Sequence, residues 1–306
     1  MKTSRRRFRI SRFTLHMLRA ACDRTRPAVP NDTYTRLGPD DLAATFVGHS
    51  TVLLQWQGMN VLTDPNFVRR VLVPKRLVEP GIPIARLPAL DVIVISHAHF
   101  DHLVKPSLRQ LPKDVPVIVP TGVAELITPL GFRRVYELNW WEAYERDGIK
   151  VIHVPANHWG RRTPRDRDRG YGGFVIERHG HHAYFAGDTA YFRGFAEIGR
   201  AFPIELALMP IGAYRPPSFR QVHCNPEDAL QAFDDMRARY LVPIHWGTFR
   251  LSYEPIDEPI AWLERLSVDN GYNGHVKILQ HGKTFILPTE ARQETVPHPI
   301  TESLPR

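Results

Sequence analysis

One loop of this chain carries four potential metal ligands within six residues. His97, His99, Asp101 and His102 follow an apolar, β-branched run at residues 91–96 (DVIVIS), which predicts a buried strand. Imidazole and carboxylate groups are the ligands that zinc and similar divalent ions take in proteins. Alternate residues of an extended segment point to one side, so His97 and His99 face together. A turn then brings Asp101 and His102 to a second position. The loop therefore predicts two ligands for each of two adjacent metal ions.

Three further candidate ligands each stand where a predicted strand ends in a loop. His158 follows a strand at residues 150–154, Asp188 ends a strand in the segment FAGDT, and His245 ends a strand in the segment VPIHWGT. A sheet holds such ligands rigidly, because each one is fixed to the end of a strand. A chance cluster of surface histidines would lack this repeated context. The residues alone thus predict a metal centre, and they leave zinc, iron and manganese as candidates.

These motifs resemble a known family. The His-x-His-x-Asp-His segment, with the later His158, Asp188 and His245, is similar to the metallo-β-lactamase superfamily. Seven further segments resemble one branch of it, the phospholipases D that hydrolyse N-acylphosphatidylethanolamine. They are residues 47–51 (VGHST), 62–65 (LTDP), 74–76 (PKR), 157–159 (NHW), 185–189 (FAGDT), 210–214 (PIGAY) and 244–249 (IHWGTF). The resemblance covers about residues 43–287, most of the chain.

The resemblance implies a fold and a cofactor. The fold is of the α/β class, a metallo-β-lactamase-like αββα sandwich in which two mixed β-sheets pack face to face with helices outside. The cofactor is a pair of zinc ions, which iron or manganese could replace. Seven residues are implied as ligands, three for each ion and one bridge: His97, His99 and His158 for the first ion, Asp101, His102 and His245 for the second, and Asp188 between them.

The implied chemistry is phosphodiester hydrolysis. Two metal ions about 3.5–4 Å apart can stabilise both the attacking and the leaving oxygen of a phosphoryl displacement. Zinc also lowers the pKa of bound water to about 7. The resemblance therefore implies that a metal-bridging hydroxide attacks the phosphorus of N-acylphosphatidylethanolamine or a related phospholipid. Asp101, as a group that orients the nucleophile, and Asp188 are the candidate catalytic residues.

Two other functions stay open at this point. A soluble hydrolase of a small metabolite, such as a sugar-phosphate lactone, could use the same ligands. A membrane-associated binding protein with a residual site is the third hypothesis. The ligand set argues against it, since a binding module has no need for seven correctly placed ligands.

Several residues outside the ligand set are candidates for supporting roles. Asp64, in the segment LTDP, matches a superfamily Asp that fixes the tautomer of a ligand histidine, although a turn Asp before Pro65 is the alternative. His49 either faces the site or is a buried structural histidine. His223 and Tyr214 are candidates for contact with the substrate or the leaving group.

An arginine-rich loop follows His158. Arg161 and Arg162 open it, and they could hold a phosphate or a lipid headgroup. A solvated charged loop is the alternative. Two departures from the family pattern bear on the substrate and leave the ligands intact: Phe100 stands where the animal enzyme has Tyr, and Val222 stands where it has Gln.

The positive charge of the chain is concentrated at its amino terminus. The net charge is +8, and residues 1–26 hold nine Lys and Arg against one acid, so the remaining residues balance at 31 basic and 31 acidic groups. No basic domain face is predicted, and we expect no nucleic-acid partner. In a helix, Ile10, Phe13, Met17 and Ala21 would share one side, which is typical of peripheral binding to an anionic membrane. A solvated basic tail is the alternative.

Targeting signals are weak. Residues 4–8 (SRRRF) look like the start of a twin-arginine export signal, but Arg12, His16 and Arg19 interrupt the apolar stretch that such a signal needs. The sequence has no run of about 18 apolar residues. It has two cysteines, Cys22 and Cys224, which do not make a disulfide framework. We therefore expect a cytoplasmic protein, in peripheral contact with the inner membrane face if its arm binds lipid.

The chain is predicted to form one domain with two extensions. These are a basic arm at residues 1–30, a hydrolase domain at 40–290 and a tail at 291–306. The clearest helix is predicted at 226–240, with Asn225 as its N-cap. Residues 68–88, rich in Pro and Arg, predict a surface excursion. Residues 276–279 with 284–287 predict a final hairpin.

Overall fold

Two β-sheets form the centre of the protein in a computed structural model, which describes residues 12–288. The first sheet has seven strands in the order β13-β1-β2-β3-β4-β5-β6, where neighbours share hydrogen bonds. Strands β1 to β3 form an antiparallel meander, and β3 to β6 run parallel. In chain order the strands are β1 (Leu42–Gly48), β2 (Thr51–Trp56), β3 (Met59–Thr63), β4 (Val92–Val94), β5 (Val117–Pro120), β6 (Val135–Leu138) and β13 (Thr284–Ile286).

The second sheet has six strands in the order β12-β11-β10-β9-β8-β7. Its strands β7 to β10 pair antiparallel, and β10 to β12 pair parallel. In chain order the strands are β7 (Ala143–Arg146), β8 (Ile149–Val154), β9 (Gly173–Arg178), β10 (His181–Phe185), β11 (Ile204–Pro210) and β12 (Tyr240–Ile244).

The core between the sheets follows the two-residue period of a strand. Ala44 and Phe46 of β1 share one buried cluster with Phe174 of β9 and Phe185 of β10. The opposite faces of both sheets are also buried, which explains why the parallel strands are continuous apolar runs. Residues that alternate with this inner cluster pack instead against helices, so each sheet lies between the other sheet and a helical layer.

Helices cover both outer faces. Leu108 and Ile127, from the helices α2 and α3, pack against Val117 of the first sheet. Phe233 of α5 and Leu263 of α6 pack outside the second sheet. The predicted αββα sandwich is therefore confirmed. The helices are α1 (Arg12–Cys22), α2 (Lys105–Leu108), α3 (Ala124–Ile127), α4 (Gly194–Ala201), α5 (Pro226–Met236) and α6 (Glu258–Asp269).

The predicted N-cap of α5 is present. The Asn225 side chain accepts a hydrogen bond from the Asp228 backbone N–H, and the Asp228 side chain accepts one from the Asn225 N–H. The helix ends at Met236, earlier than the predicted residue 240. It ends there because Arg237 adopts a left-handed backbone (φ 52°) that turns the chain towards β12.

The predicted final hairpin is wrong. Residues Thr284–Ile286 form β13, which pairs antiparallel with β1 and places Phe285 opposite Ala44. Val276 instead makes an isolated parallel bridge to Leu241 of β12. The two predicted hairpin segments do not pair with each other, because each sheet has an open edge strand. Pairing with that edge provides hydrogen-bond partners for the backbone of a short segment.

The predicted surface excursion at residues 68–88 is also wrong at its centre. Arg76 is only 1% exposed, and Leu77 and Ile82 are buried. The Arg76 guanidinium donates to the backbone carbonyls of Val68 at 2.9 Å and Asn66 at 2.5 Å. A charged side chain can be buried here because the turn supplies acceptors for its donors. The sequence pattern also did not predict β6, β7 and α4.

The predicted amino-terminal helix is present as α1, and it packs on the hydrolase domain. The Lys75 N–H donates to the Ala20 carbonyl at 2.8 Å, and the rings of His16 and Tyr253 meet edge to face at 5.0 Å. Ile10, which the sequence placed on the same helix face as Met17, lies outside the described residues. Between residues 12 and 288, no helix is long and apolar enough to cross a membrane.

Candidate metal centre

The seven predicted ligands meet where the loops leave one end of the two sheets. The first three histidines form one group: the His97 Nε2 atom lies 2.8 Å from His99 Nδ1, which lies 3.2 Å from His158 Nε2. The His158 Nδ1 atom lies 2.8 Å from the Val222 carbonyl, a contact that turns Nε2 towards the group. Three ring nitrogens thus converge on one point.

These three imidazoles are neutral in the metal-free protein. Burial lowers the pKa of His97 and His158 well below the ordinary value, and neighbouring histidines lower it further, although the Asp188 carboxylate partly opposes this at both residues. Burial also lowers the pKa of His99 to about 4. A neutral imidazole offers a free lone pair, which is the form that binds a metal ion.

A second group forms around Asp101. Its Oδ2 atom lies 3.0 Å from His49 Nε2, 3.5 Å from His102 Nε2 and 3.6 Å from His245 Nε2. Burial alone would lower the pKa of His102 and His245. Burial is the largest single effect, but the carboxylates of Asp188 and Asp101 together outweigh it, and they raise the pKa of His245 to about 9 and that of His102 well above its ordinary value.

Asp188 lies between the two groups. Its Oδ2 atom is 3.1 Å from His102 Nε2 and 3.3 Å from His245 Nε2, and it is 4.0 Å from His158 Nε2. Burial opposes its charge, but His102 and His245 hold the pKa of Asp188 well below its usual range. The position is that of a carboxylate able to contact two neighbouring ions.

The donor set fits metal ions. Asp188 Oδ1, His102 Nε2 and His245 Nε2 are buried and make no hydrogen bond of good geometry. Buried polar atoms are rarely left without a partner, because the lost hydration costs free energy. Metal coordination would satisfy these atoms, and imidazole with carboxylate suits zinc, iron and manganese.

Asp64 makes the contact that a supporting role requires. Its Oδ2 atom lies 2.6 Å from His102 Nδ1, and its Oδ1 atom accepts a hydrogen bond from the Ser96 N–H at 2.7 Å. A carboxylate that accepts from Nδ1 of a histidine leaves Nε2 free for a metal ion. Asp64 therefore fixes both the ring of His102 and the start of the ligand loop.

The two arginines have different surroundings. Arg161 pairs with Asp168 at the surface. Arg162 instead donates through Nη1 to the carbonyls of Ala98 at 2.5 Å and Leu103 at 3.0 Å. Its guanidinium also lies over the Phe100 ring, 4.1 Å from the ring centre. Arg162 thus clamps the loop that carries His97 to His102, a role that the sequence did not suggest.

His223 and Tyr214 also differ. The Nε2 atom of His223 lies 3.5 Å from Asp188 Oδ2, so this residue belongs to the site. The Tyr214 hydroxyl lies 2.7 Å from Glu258 Oε1, and Tyr214 lines a separate surface groove with Trp262. The structure therefore does not bring Tyr214 to the ligands.

A cavity of about 500 Å³ opens above the ligands. His99, Asp101, Asp188, His223 and His245 form its polar floor. Its walls are mostly apolar and come from several distant segments. The sequence linked Phe100, Arg161 and Arg162 to the substrate, and all three line this cavity. Sequence reasoning did not assign the other apolar wall residues to the site, although the apolar run at 71–74 (VLVP) was a signal for some of them: Met17, Val71, Leu72, Pro74, Trp159, Phe219 and Leu251.

Comparison with known proteins gives the family. Residues 59–246 match the beta-lactamase superfamily domain. The chain belongs to this superfamily. A metal-dependent hydrolase of Rubrobacter xylanophilus is 32% identical over 213 residues, which cover 67% of this chain and 81% of that one. The present protein is likewise a metal-dependent hydrolase of the superfamily.

Two further comparisons concern substrate and fold. The mitochondrial N-acyl-phosphatidylethanolamine-hydrolyzing phospholipase D of Saccharomyces cerevisiae is 35% identical over 256 residues, which cover 78% of this chain and 55% of the yeast protein. The crystal structure of a possible metal-dependent hydrolase from Veillonella parvula superposes with a TM-score of 0.69 at 19% identity, over 81% of this chain and all of that one. The latter similarity shows the fold alone.

Proposed function

We propose that this superfamily member is a two-zinc phosphodiesterase that cleaves N-acylphosphatidylethanolamine or a related phospholipid. One observation carries the proposal, namely a single cavity with a polar floor of metal ligands and apolar walls. The floor suits a phosphate group, and the walls suit acyl chains. The name of the yeast relative supports the same substrate class.

The residues that would hold the ions are the two groups described above. His97, His99 and His158 would hold one ion, Asp101, His102 and His245 would hold the other, and Asp188 would contact both. When bound, such ions supply a water that ionises near neutral pH and neutralise charge on phosphoryl oxygens. Iron or manganese suits the same donors.

The chain's own groups would then position the reactants. The carboxylates of Asp101 and Asp188 are anionic, because neighbouring histidines hold both pKa values well below the usual range against the effect of burial. Asp101 faces the cavity and can accept a hydrogen bond from the attacking water. His223 lines the same cavity and would contact the oxygen of the departing N-acylethanolamine.

We also propose that the cavity opens towards an anionic membrane surface. Leu72 lines the cavity and is 69% exposed, and α1 contributes Met17 to the wall while exposing Leu15 and Leu18. The same amino-terminal region carries nine basic residues within residues 1–26. Apolar side chains next to basic charge suit a bilayer with anionic headgroups.

The decisive experiment is cleavage of N-acylphosphatidylethanolamine vesicles by the zinc-loaded protein. We expect metal-dependent release of N-acylethanolamine, and we expect the His97→Ala variant to lose it. His179→Ala is the matched control, because His179 lies at an exposed turn away from the ligands. No release from a wild-type protein that holds two metal ions would reject this substrate.

A second candidate is a hydrolase of a small soluble metabolite, such as a sugar-phosphate lactone. The Rubrobacter xylanophilus relative supports it, since its name specifies metal-dependent hydrolysis without a lipid. Turnover of short-chain phosphodiesters or lactones that vesicles do not stimulate would favour this candidate over the phospholipase.

A further inference from the structure

We propose that His49 is a further protein ligand of the metal ion held by Asp101, His102 and His245. The proposal rests on the two-metal site of the proposed function, and it adds a residue beyond the seven implied by the family motifs. His49 lies in the turn between β1 and β2, is 2% exposed, and packs its ring 4.1 Å from the ring of His245.

The donor distances fit one ion. Zinc lies about 2.0–2.1 Å from a histidine nitrogen, so the donors around a tetrahedral ion are about 3.3 Å apart. The three histidine Nε2 atoms lie 3.0, 3.5 and 3.6 Å from Asp101 Oδ2, and His49 is the nearest of them. These four atoms form one mutually close set of candidate donors. His49 is therefore placed as the other two histidines are.

The backbone holds this ring in place. His49 has a left-handed backbone with φ 60°, and it follows Gly48 at φ 137°. A Cβ atom at Gly48 would lie 2.9 Å from the His281 ring, so only glycine fits. The His49 N–H donates to Thr248 Oγ1 at 2.6 Å, and the His49 carbonyl accepts from the His245 N–H at 2.8 Å. The turn is thus bonded to the segment that presents His245.

The alternative is that His49 only donates a hydrogen bond to Asp101. The two roles predict different behaviour of the His49→Gln variant. Glutamine can still donate a hydrogen bond to the carboxylate, but its amide is a poor metal ligand. A positioning role would therefore survive this substitution, and ligation would not.

The test measures metal binding directly on the whole 306-residue chain. Zinc stoichiometry and chelator competition are compared for wild type, His49→Ala and His49→Gln, together with the absorption spectrum of the cobalt-loaded forms. We expect both variants to weaken the binding of one of the two metal ions by more than the about 10–100-fold that loss of a supporting contact costs, to leave the other ion bound, and to alter the cobalt spectrum. His153→Ala is the matched control, since it removes another buried imidazole that lies outside the metal-ligating groups.

Three results would overturn the proposal. One is wild-type affinity for both ions in His49→Ala. Another is wild-type affinity and spectrum in His49→Gln, which would make His49 a positioning residue. The third is a zinc-edge diffraction map of the wild-type protein in which His49 Nε2 lies more than about 3 Å from both ions, beyond bonding distance. If any of these results is found while the wild-type protein holds two ions, the proposed function stands. A wild-type protein that binds no second ion would overturn both the His49 proposal and the proposed function.

Discussion

Replacing Arg162 tests whether this residue clamps the ligand loop or binds a lipid headgroup. Its Nη1 atom makes charge-assisted hydrogen bonds to the carbonyls of Ala98 and Leu103, and such bonds contribute about 1.5–3 kcal/mol each. Stacking on Phe100 adds about 0.5–2 kcal/mol. We expect Arg162→Ala to lower the free energy of unfolding by about 3 kcal/mol. This is less than the sum of these contributions, because water can hydrate some of the freed carbonyls after the side chain is truncated.

The same substitution should weaken metal binding. The loop carries four of the seven candidate ligands, and supporting contacts typically change metal affinity about 10–100-fold. Chelator competition measures this affinity, and urea unfolding of the metal-free protein measures stability. Arg161→Ala is the matched control for metal affinity and stability, since Arg161 pairs with Asp168 in solvent and its loss should change both quantities little. Unchanged metal affinity with a raised KM for the phospholipid would refute the clamp and restore the headgroup role.

Two other predictions concern the surface and the core. Leu72→Asp should reduce sedimentation of the protein with anionic vesicles about tenfold, the scale expected when part of a leucine side chain leaves an apolar environment. Val268→Asp is the control, because Val268 lies on α6 and is 65% exposed, and it should cause no such loss. An equal loss in both variants would contradict the proposed membrane-facing surface. His153 is buried, and burial lowers its pKa to about 4 from 6.5. As pH falls from 6.5 to 4, the unfolded chain binds a proton here that the folded protein does not, so stability falls by up to about 3 kcal/mol. His153→Phe should remove that part of the pH dependence in urea unfolding of the metal-free protein, and an unchanged slope would contradict it.

Features determined by local sequence were predictable. The ligand loop could be located because its residues are adjacent in the chain and follow a β-branched strand, and α5 could be located from its periodicity and its Asn225 cap. The αββα layers followed from the family resemblance. A strand at residues 284–287 was predicted, but its partner was not, because the pairing of β13 with β1 depends on which sheet edge is open in the folded chain.

Features determined by long-range packing were not predictable. Arg162 lies in a charged loop in the sequence, and its role depends on carbonyls about sixty residues away. Arg76 is buried only because a preceding turn supplies its acceptors. His49 offered two interpretations from sequence, and its approach to Asp101 depends on a strained turn that the structure alone shows.

The distribution of site residues along the chain separates metal chemistry from substrate choice. Most of the candidate ligands, His97 to His245, lie within the matched superfamily region at residues 59–246. Two residues of the cavity wall, Met17 and Leu251, lie outside that region. The superfamily match therefore covers all seven implied ligands and leaves out two residues of the cavity wall. If the proposed phospholipid is the substrate, α1 contributes to its cavity through Met17, a residue that superfamily membership does not predict.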